Sequence, residues 1–117
     1  MPGGHGAMSD AAIVVLCTAP AEGDAAERLA RGLVEAKLAA CVNLMPNLRS
    51  FYTWQGKLED AAEVQLVIKT QHARYPELEA WLRANHPYDE PEILALPVIA
   101  GSPSYLAWLS EQTSRGS

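Results

Sequence analysis

One stretch organises this chain: His86-Pro87-Tyr88-Asp89-Glu90-Pro91-Glu92-Ile93. A proline disfavours the helical conformation in the residue before it, so the two prolines end the preceding helical pattern and hold the backbone extended. The stretch carries an imidazole, a phenol and three carboxylates, and the apolar residues 93–99 that follow predict a buried strand. Two interpretations stay open: a site held by a rigid elbow, or a stiffened loop whose carboxylates accept hydrogen bonds from backbone donors.

Length and composition predict one small domain. With 117 residues, of which 49% are hydrophobic, the chain can bury a core. We predict a flexible lead at 1–10, one domain at 11–112 and a loose tail at 113–117. A formal net charge of −5 disfavours nucleic acid as a partner, since phosphate binding needs clustered Lys and Arg. No apolar run approaches the roughly 20 residues of a membrane span and no export signal is evident, so we expect a cytoplasmic protein with no membrane partner.

The apolar patterns follow the order strand, helix, strand, strand, helix, strand and final helix. The predicted strands are 11–18, 41–54, 61–70 and 92–100, and the predicted helices are 24–40, 73–85 and one beginning at Pro103. The second and third strands form a long antiparallel hairpin, in which Pro46 indicates an edge strand or a bulge. Ser102 is the expected N-cap of the last helix.

This order is typical of the ferredoxin-like α+β fold, βαββαβ plus a C-terminal helix. Right-handed crossovers and the hairpin predict an antiparallel sheet with strand order 4-1-3-2. That order brings Cys17, His86 and Glu92 to one end of the sheet, because the first strand ends where the last begins. It places Cys41 too far from Cys17 for the roughly 5–6 Å Cα separation of a disulfide.

The hairpin is longer than its neighbouring strands and carries Phe51, Tyr52 and Trp54. An exposed aromatic edge pairs readily with another chain, so we predict a homo-oligomer. The alternative is that the C-terminal helix, with Tyr105 and Trp108, folds over this edge.

Six stretches of the sequence resemble the CutA divalent-cation-tolerance proteins: VLCTAP (15–20), EAKLAACVN (35–43), YTWQGKLE (52–59), EVQLVIKT (63–70), HPYDEPEI (86–93) and LPV (96–98). The resemblance implies a cytosolic, ferredoxin-like homotrimer with strand pairing between subunits. It also implies a link to tolerance of copper and other divalent metals, with no assigned catalytic activity. The implied trimer is similar to that of nitrogen-regulatory signalling proteins, which bind small effectors at subunit clefts.

The resemblance matches Cys17 and His86 to ligands proposed for copper, with Glu92 as a third ligand at most. Asn85 stands where some members have a second histidine. A thiolate with imidazole suits copper better than magnesium or calcium, although other divalent cations remain candidates. The alternative is that Cys17 simply packs at the end of a buried strand.

A second predicted site is a cleft between subunits for a small anion or metabolite, formed by Tyr52, Trp54, Lys69 and Tyr88 with Glu92. Lys69 ends the third strand, far from His86 within one chain, so a pocket that includes both requires a neighbouring chain. The alternative is that the aromatic residues are interface anchors, since Tyr and Trp are enriched at subunit contacts.

No nucleophile with an adjacent base stands out in the sequence, so we predict no enzyme and no organic cofactor. The predicted function is divalent-cation tolerance, through copper binding by a non-catalytic trimer. The alternative is a signalling or adaptor trimer that binds a small metabolite at its subunit clefts.

Overall fold

The structure is a computed structural model that describes residues 11–115. Within that range the chain forms four strands and three α-helices: β1 (Ala12–Pro20), α1 (Ala25–Glu35), β2 (Cys41–Trp54), β3 (Lys57–Gln71), α2 (Tyr75–Asn85), β4 (Leu94–Pro97) and α3 (Pro103–Gln112). A short 3-10 turn, His72–Arg74, leads into α2. The predicted flexible lead, 1–10, and residues 116–117 of the predicted tail lie outside the described residues.

The sheet is antiparallel with the order β2-β3-β1-β4, which confirms the predicted ferredoxin-like topology. Side chains at alternating positions of β1 are buried, from Ile13 to Ala19, because α1 and α2 cover this face of the sheet. Leu33 of α1 and Leu82 of α2 are fully buried in the same core. Burying apolar surface between the helices and one sheet face therefore holds the fold together.

The hairpin is built from two local backbone features. Gln55 and Gly56 both have positive φ, 51° and 80°, as a tight two-residue turn between twisted strands requires. Between Met45 and Leu48 the register shifts by one residue, and Asn47 there has a φ of 68°. The edge position and the bulge predicted from Pro46 are both confirmed. The described chain measures 51 Å along its longest axis and 25 and 23 Å across, because the hairpin projects beyond the core.

Several element ends differ from prediction. Strand β1 runs to Pro20 instead of residue 18, and β3 begins at Lys57 instead of residue 61, because the hairpin turn is only two residues long. Helix α1 ends at Glu35 instead of residue 40, because Lys37 has a φ of 60° and the amides of Leu38 and Ala39 turn back to the carbonyl of Leu33. The predicted buried strand at 92–100 is wrong: β4 is only four residues long and all four are exposed. It is an edge strand whose single partner is β1, and the helices pack over the more central strands.

The last helix begins as predicted, with the Ser102 Oγ accepting a hydrogen bond from the Tyr105 amide at 3.3 Å. The alternative to the predicted oligomer, that this helix covers the aromatic edge, is wrong, because Phe51 remains 62% exposed. Instead α3 lies against the far end of β3, where Gln71 Nε2 donates to Thr113 Oγ1 at 2.8 Å. Thr113, the first residue of the predicted loose tail, is fully buried. No helix within residues 11–115 is long and apolar enough to cross a membrane.

Candidate functional site at the elbow and the hairpin

The elbow, residues 86–92, closes over the end of β1. His86 is the C-cap residue that follows α2, and it is buried with its Nε2 2.8 Å from the carbonyl oxygen of Thr18. Its Nδ1 accepts a hydrogen bond from the Tyr88 amide at 3.0 Å. Because Nδ1 accepts, the proton lies on Nε2 and is donated to Thr18. Both ring nitrogens are therefore occupied, and His86 fastens the elbow to β1.

Cys17 lies directly beside this contact and is fully buried on the helix-covered face of the sheet. Burial, and then the carboxylates of Glu92 and Glu63, raise the pKa of the Cys17 thiol to about 12. Metals bind the thiolate, so a raised pKa works against metal binding here. Cys41 lies on β2, where it pairs with Lys69 of β3, so β3 separates the two cysteines. Both cysteines are free thiols, as predicted.

The topology brings Cys17, His86 and Glu92 to one end of the sheet, but within the described residues these side chains do not form a group that could hold a metal ion. His86 contacts the residue after Cys17, and the first residue of β4, Leu94, pairs with Leu16. The described part of the chain contains no group of three or more His, Cys, Asp or Glu side chains that could hold a metal ion. With a fully buried thiol and both imidazole nitrogens engaged, the donor set within one chain does not fit a copper site.

An open pocket lies on the outer side of the elbow, with a volume of about 820 Å³. It brings together three predicted cleft residues, Tyr52, Trp54 and Tyr88, and the predicted ligand Glu92. The remaining lining residues are Thr18, Ser50, Phe51, Glu63, Pro87, Asp89, Glu90 and Pro91. Lys69 is absent from this set: it lies beside Cys41 and bonds the side chain of Asn43. Within one chain, four of the five predicted cleft residues therefore share a pocket.

Glu63 is the site residue that sequence reasoning missed, because it reads as one of the outward-facing residues of a strand. It is only 3% exposed, and its carboxylate accepts hydrogen bonds from Ser50 Oγ at 2.6 Å and from the Tyr88 hydroxyl at 2.7 Å. Burial of Tyr88 and its hydrogen bond to Glu63 raise the pKa of the phenol. The carboxylate therefore joins the hairpin to the elbow.

The bulge in β2 decides which side chains meet Glu63. Three residues of β2 span two of β3 between the Met45–Gln65 and Leu48–Glu63 pairs, so the alternation of faces reverses there. As a result Ser50, Tyr52 and Trp54 lie on the same face of the hairpin as Glu63. Pro46 and Asn47 indicate a bulge in the sequence, but its one-residue size, which selects the face, was not evident.

Fold and site together define a class: a ferredoxin-like subunit whose long aromatic hairpin and polar elbow enclose an open pocket. A family model described as "CutA1 divalent ion tolerance protein" matches residues 13–112. The chain therefore belongs to the CutA1 divalent ion tolerance family, which is not a known enzyme family.

Relatives and solved structures agree with this assignment. A divalent-cation tolerance protein CutA from Pectobacterium atrosepticum is 50% identical over 99 residues, which is 85% of this chain and 89% of that one. The structure of a divalent cation tolerance protein (Cut A1) from Thermus thermophilus matches with a TM-score of 0.84 at 46% identity, covering 88% of this chain and 99% of that one. A structure from Archaeoglobus fulgidus, described as a periplasmic divalent cation tolerance protein CutA, has a TM-score of 0.84 at 38% identity, with coverage of 88% and 99%.

Proposed function

We propose that this protein supports divalent-cation tolerance as a non-catalytic cytoplasmic homotrimer whose aromatic pocket binds a small molecule. The single observation that carries the proposal is the contrast between the two predicted sites. Tyr52, Trp54, Tyr88 and Glu92 line an open pocket, whereas Cys17 and His86 are buried with their donor atoms unavailable. A pocket of this size with aromatic walls and a few polar groups is typical of a small-molecule site.

The proposal of a trimer rests on apolar side chains that are exposed in the single chain. Leu94 and Leu96 of β4 are 56% and 47% exposed, and Met45 of β2 is 53% exposed. All three lie on the sheet face opposite the two covering helices. Leu94 and Leu96 pair with residues 16 and 14 of β1, and Met45 is connected through residue 65 to residue 18; these even-numbered residues of β1 alternate with those that face the helices. Association between copies of this chain would remove this apolar surface from water.

Analytical ultracentrifugation of the full chain tests the assembly. The expected mass is three times the 12.6 kDa of one chain, independent of dilution over the micromolar range. A monomer or a dimer would contradict the proposed trimer. The pocket lining described above comes from one chain, and ligand binding is tested by a separate measurement.

Ligand binding is tested by following the indole N–H resonances of the protein by NMR. The chain has three tryptophans, and only Trp54 lines the pocket, while Trp81 and Trp108 lie elsewhere. The protein is titrated with a panel of cationic, neutral and anionic metabolites. We expect at least one compound to shift the Trp54 resonance and not that of Trp108. If no compound shifts Trp54, the pocket is no ligand site and the proposed function fails.

Copper binding at Cys17 and His86, with Glu92, stays a prediction, favoured by the arrival of both side chains at one end of β1. It requires His86 to leave the carbonyl of Thr18 and Cys17 to ionise. Copper binding is tested by a Cu(I) titration against a competing chelator under reducing conditions, which compares the wild type with Cys17→Ser. We expect weak binding that the substitution does not change. Tight stoichiometric binding lost in Cys17→Ser would make copper binding the function instead.

A further inference from the structure

We propose that the pocket takes an organic cation, a small alkylammonium compound held between the aromatic side chains and the carboxylates. The inference rests on the proposed function, since it names the ligand class of the same pocket. It differs from the predicted cleft between subunits, in which Lys69 allowed an anionic ligand.

The first support for a cationic ligand is the charge of the residues that line the pocket. Four carboxylates line the pocket, from Glu63, Asp89, Glu90 and Glu92. Among the described residues the lining includes no Lys, Arg or His, and the ion pair at the rim joins Arg83 to Glu90 at 3.6 Å. Lys69 lies beside Cys41, away from the pocket. Within one chain the pocket lining is therefore net negative, so it repels an anion and attracts a cation.

Glu63 carries the second step, because it is a charged side chain that is nearly completely removed from water. Its two hydrogen bonds come from neutral hydroxyl groups, and no cationic side chain within residues 11–115 forms an ion pair with it. Buried carboxylates are normally paired with a positive charge, since desolvation is otherwise only partly compensated. A cation in the adjacent pocket supplies that charge.

The aromatic walls carry the third step. Tyr52 and Trp54 are 42% and 44% exposed in the single chain, so its own side chains leave both rings uncovered. The faces of aromatic rings attract cations, and Trp does so most strongly. The same hairpin already makes one such contact, with the Arg49 guanidinium 5.2 Å from the centroid of the Phe51 ring. Arg49 is itself paired with Asp60 at 2.6 Å, so it does not neutralise the pocket.

The aromatic rings also favour an organic cation over a metal ion as the ligand of this pocket. Hard divalent cations such as Mg²⁺ and Ca²⁺ take converging oxygen atoms as ligands, not ring faces. The described carboxylates do not converge into such a group. An alkylammonium ion uses both features, since its apolar groups contact the rings while its charge faces the carboxylates.

The test uses three probes of the same shape: choline, the neutral 3,3-dimethylbutan-1-ol and the anionic 3,3-dimethylbutanoate. Each is titrated into the full-length assembled protein at low salt, and the Trp54 indole resonance is followed. We expect choline to bind at least about tenfold more tightly than the neutral alcohol, and the anion to bind more weakly still. Added sodium chloride should weaken choline binding and leave the alcohol unchanged.

Two matched pairs of variants locate the interaction. Trp54→Leu lacks the indole reporter, so its affinity for choline and those of the other variants are measured by isothermal titration calorimetry. Trp54→Leu should weaken choline binding by about fivefold or more, whereas Trp108→Leu, at a similarly exposed tryptophan outside the pocket, should have no effect. Glu63→Gln removes one charge and should weaken choline several-fold without affecting the neutral alcohol, which also shows that the variant is folded. Glu111→Gln, at an exposed carboxylate on α3, is its control. For these variants the resonance of Trp81, which packs against the core, reports native folding.

The outcomes separate this inference from the proposed function. If the alcohol or the carboxylate binds as tightly as choline, the pocket binds small molecules but the cation inference is overturned. The same holds if choline fails to bind while another metabolite shifts Trp54, or if a basic side chain of a neighbouring copy occupies the pocket and excludes choline. If neither the three probes nor the metabolite panel shifts Trp54, both proposals fail.

Discussion

The inner and outer sides of the elbow differ in what their polar atoms are free to do. On the inner side, Cys17 and His86 are buried, and both imidazole nitrogens bond within the chain. On the outer side, Trp54 and Glu92 line an open pocket. The residue types on the inner side look more like a metal site, yet the outer side has the free surface. Ligand binding depends on unoccupied donors and acceptors, and residue type alone does not supply them.

The largest expected effect concerns the reactivity of Cys17, and it tests how closed the inner side is. In a Cys41→Ala variant, Cys17 should react with Ellman's reagent at least about a thousandfold more slowly in the native state than after denaturation in guanidinium chloride. Burial removes access, and the raised pKa lowers the thiolate fraction. Rapid labelling of the native variant would show an accessible thiol and would revive the metal hypothesis.

Stability at alkaline pH tests the same burial. The folded pKa of Cys17 lies above its ordinary value, so its contribution is fully present below about pH 9 and is lost as pH rises towards 12. The loss should reach up to about 4 kcal/mol, since each pKa unit corresponds to about 1.36 kcal/mol. Guanidinium unfolding at fixed protein concentration across this range gives the slope.

Cys17→Ala is the control for that slope, because it removes the thiol and leaves the other alkaline titrations in place. The variant should lose less stability than the wild type between pH 9 and 12. Equal slopes would mean that Cys17 ionises as easily in the folded chain as in the unfolded one.

The next prediction compares one residue from each side of the elbow. His86→Ala leaves the Thr18 carbonyl and the Tyr88 amide without their partner, so we expect a loss of about 2–4 kcal/mol in the free energy of unfolding. Glu92→Gln, at an exposed position, should change stability by less than about 0.5 kcal/mol. Denaturant titration measures both. A small effect of His86→Ala would mean that the inner side is held by other contacts.

Much of the fold was predictable because local patterns and topology agree. The alternation of Val64, Leu66 and Ile68 indicated a strand over 61–70, which is the inner part of β3, and right-handed crossovers then left one strand order. The prediction of β4 failed because an apolar run such as 93–99 reads as buried, whether the helices of its own chain or another molecule cover it.

The candidate site was predictable only in part. Tyr52, Trp54 and Tyr88 were recognised by their residue types, and topology placed His86 at the end of β1. The burial of Glu63 depends on a one-residue bulge and on the Tyr88 side chain reaching across to the hairpin. Neither feature is encoded in a local pattern. Likewise, the orientation of the His86 ring follows from two hydrogen bonds that only the folded chain reveals.

A smaller loss than that of His86→Ala is expected at the Tyr88 hydroxyl, where the inner and outer sides meet. Tyr88→Phe removes the hydrogen bond to Glu63 and leaves the carboxylate with Ser50, so stability should fall by about 1–2 kcal/mol. Ser50→Ala, which removes the other donor, should cost a similar amount. The phenylalanine ring preserves the pocket wall, and a carboxylate with one donor fewer is more available to a cation. Choline affinity should therefore stay within about twofold of wild type or increase. A large loss of affinity in Tyr88→Phe would show that the hydroxyl itself contacts the ligand, and the pocket would then recognise a hydrogen-bonding group as well as a charge.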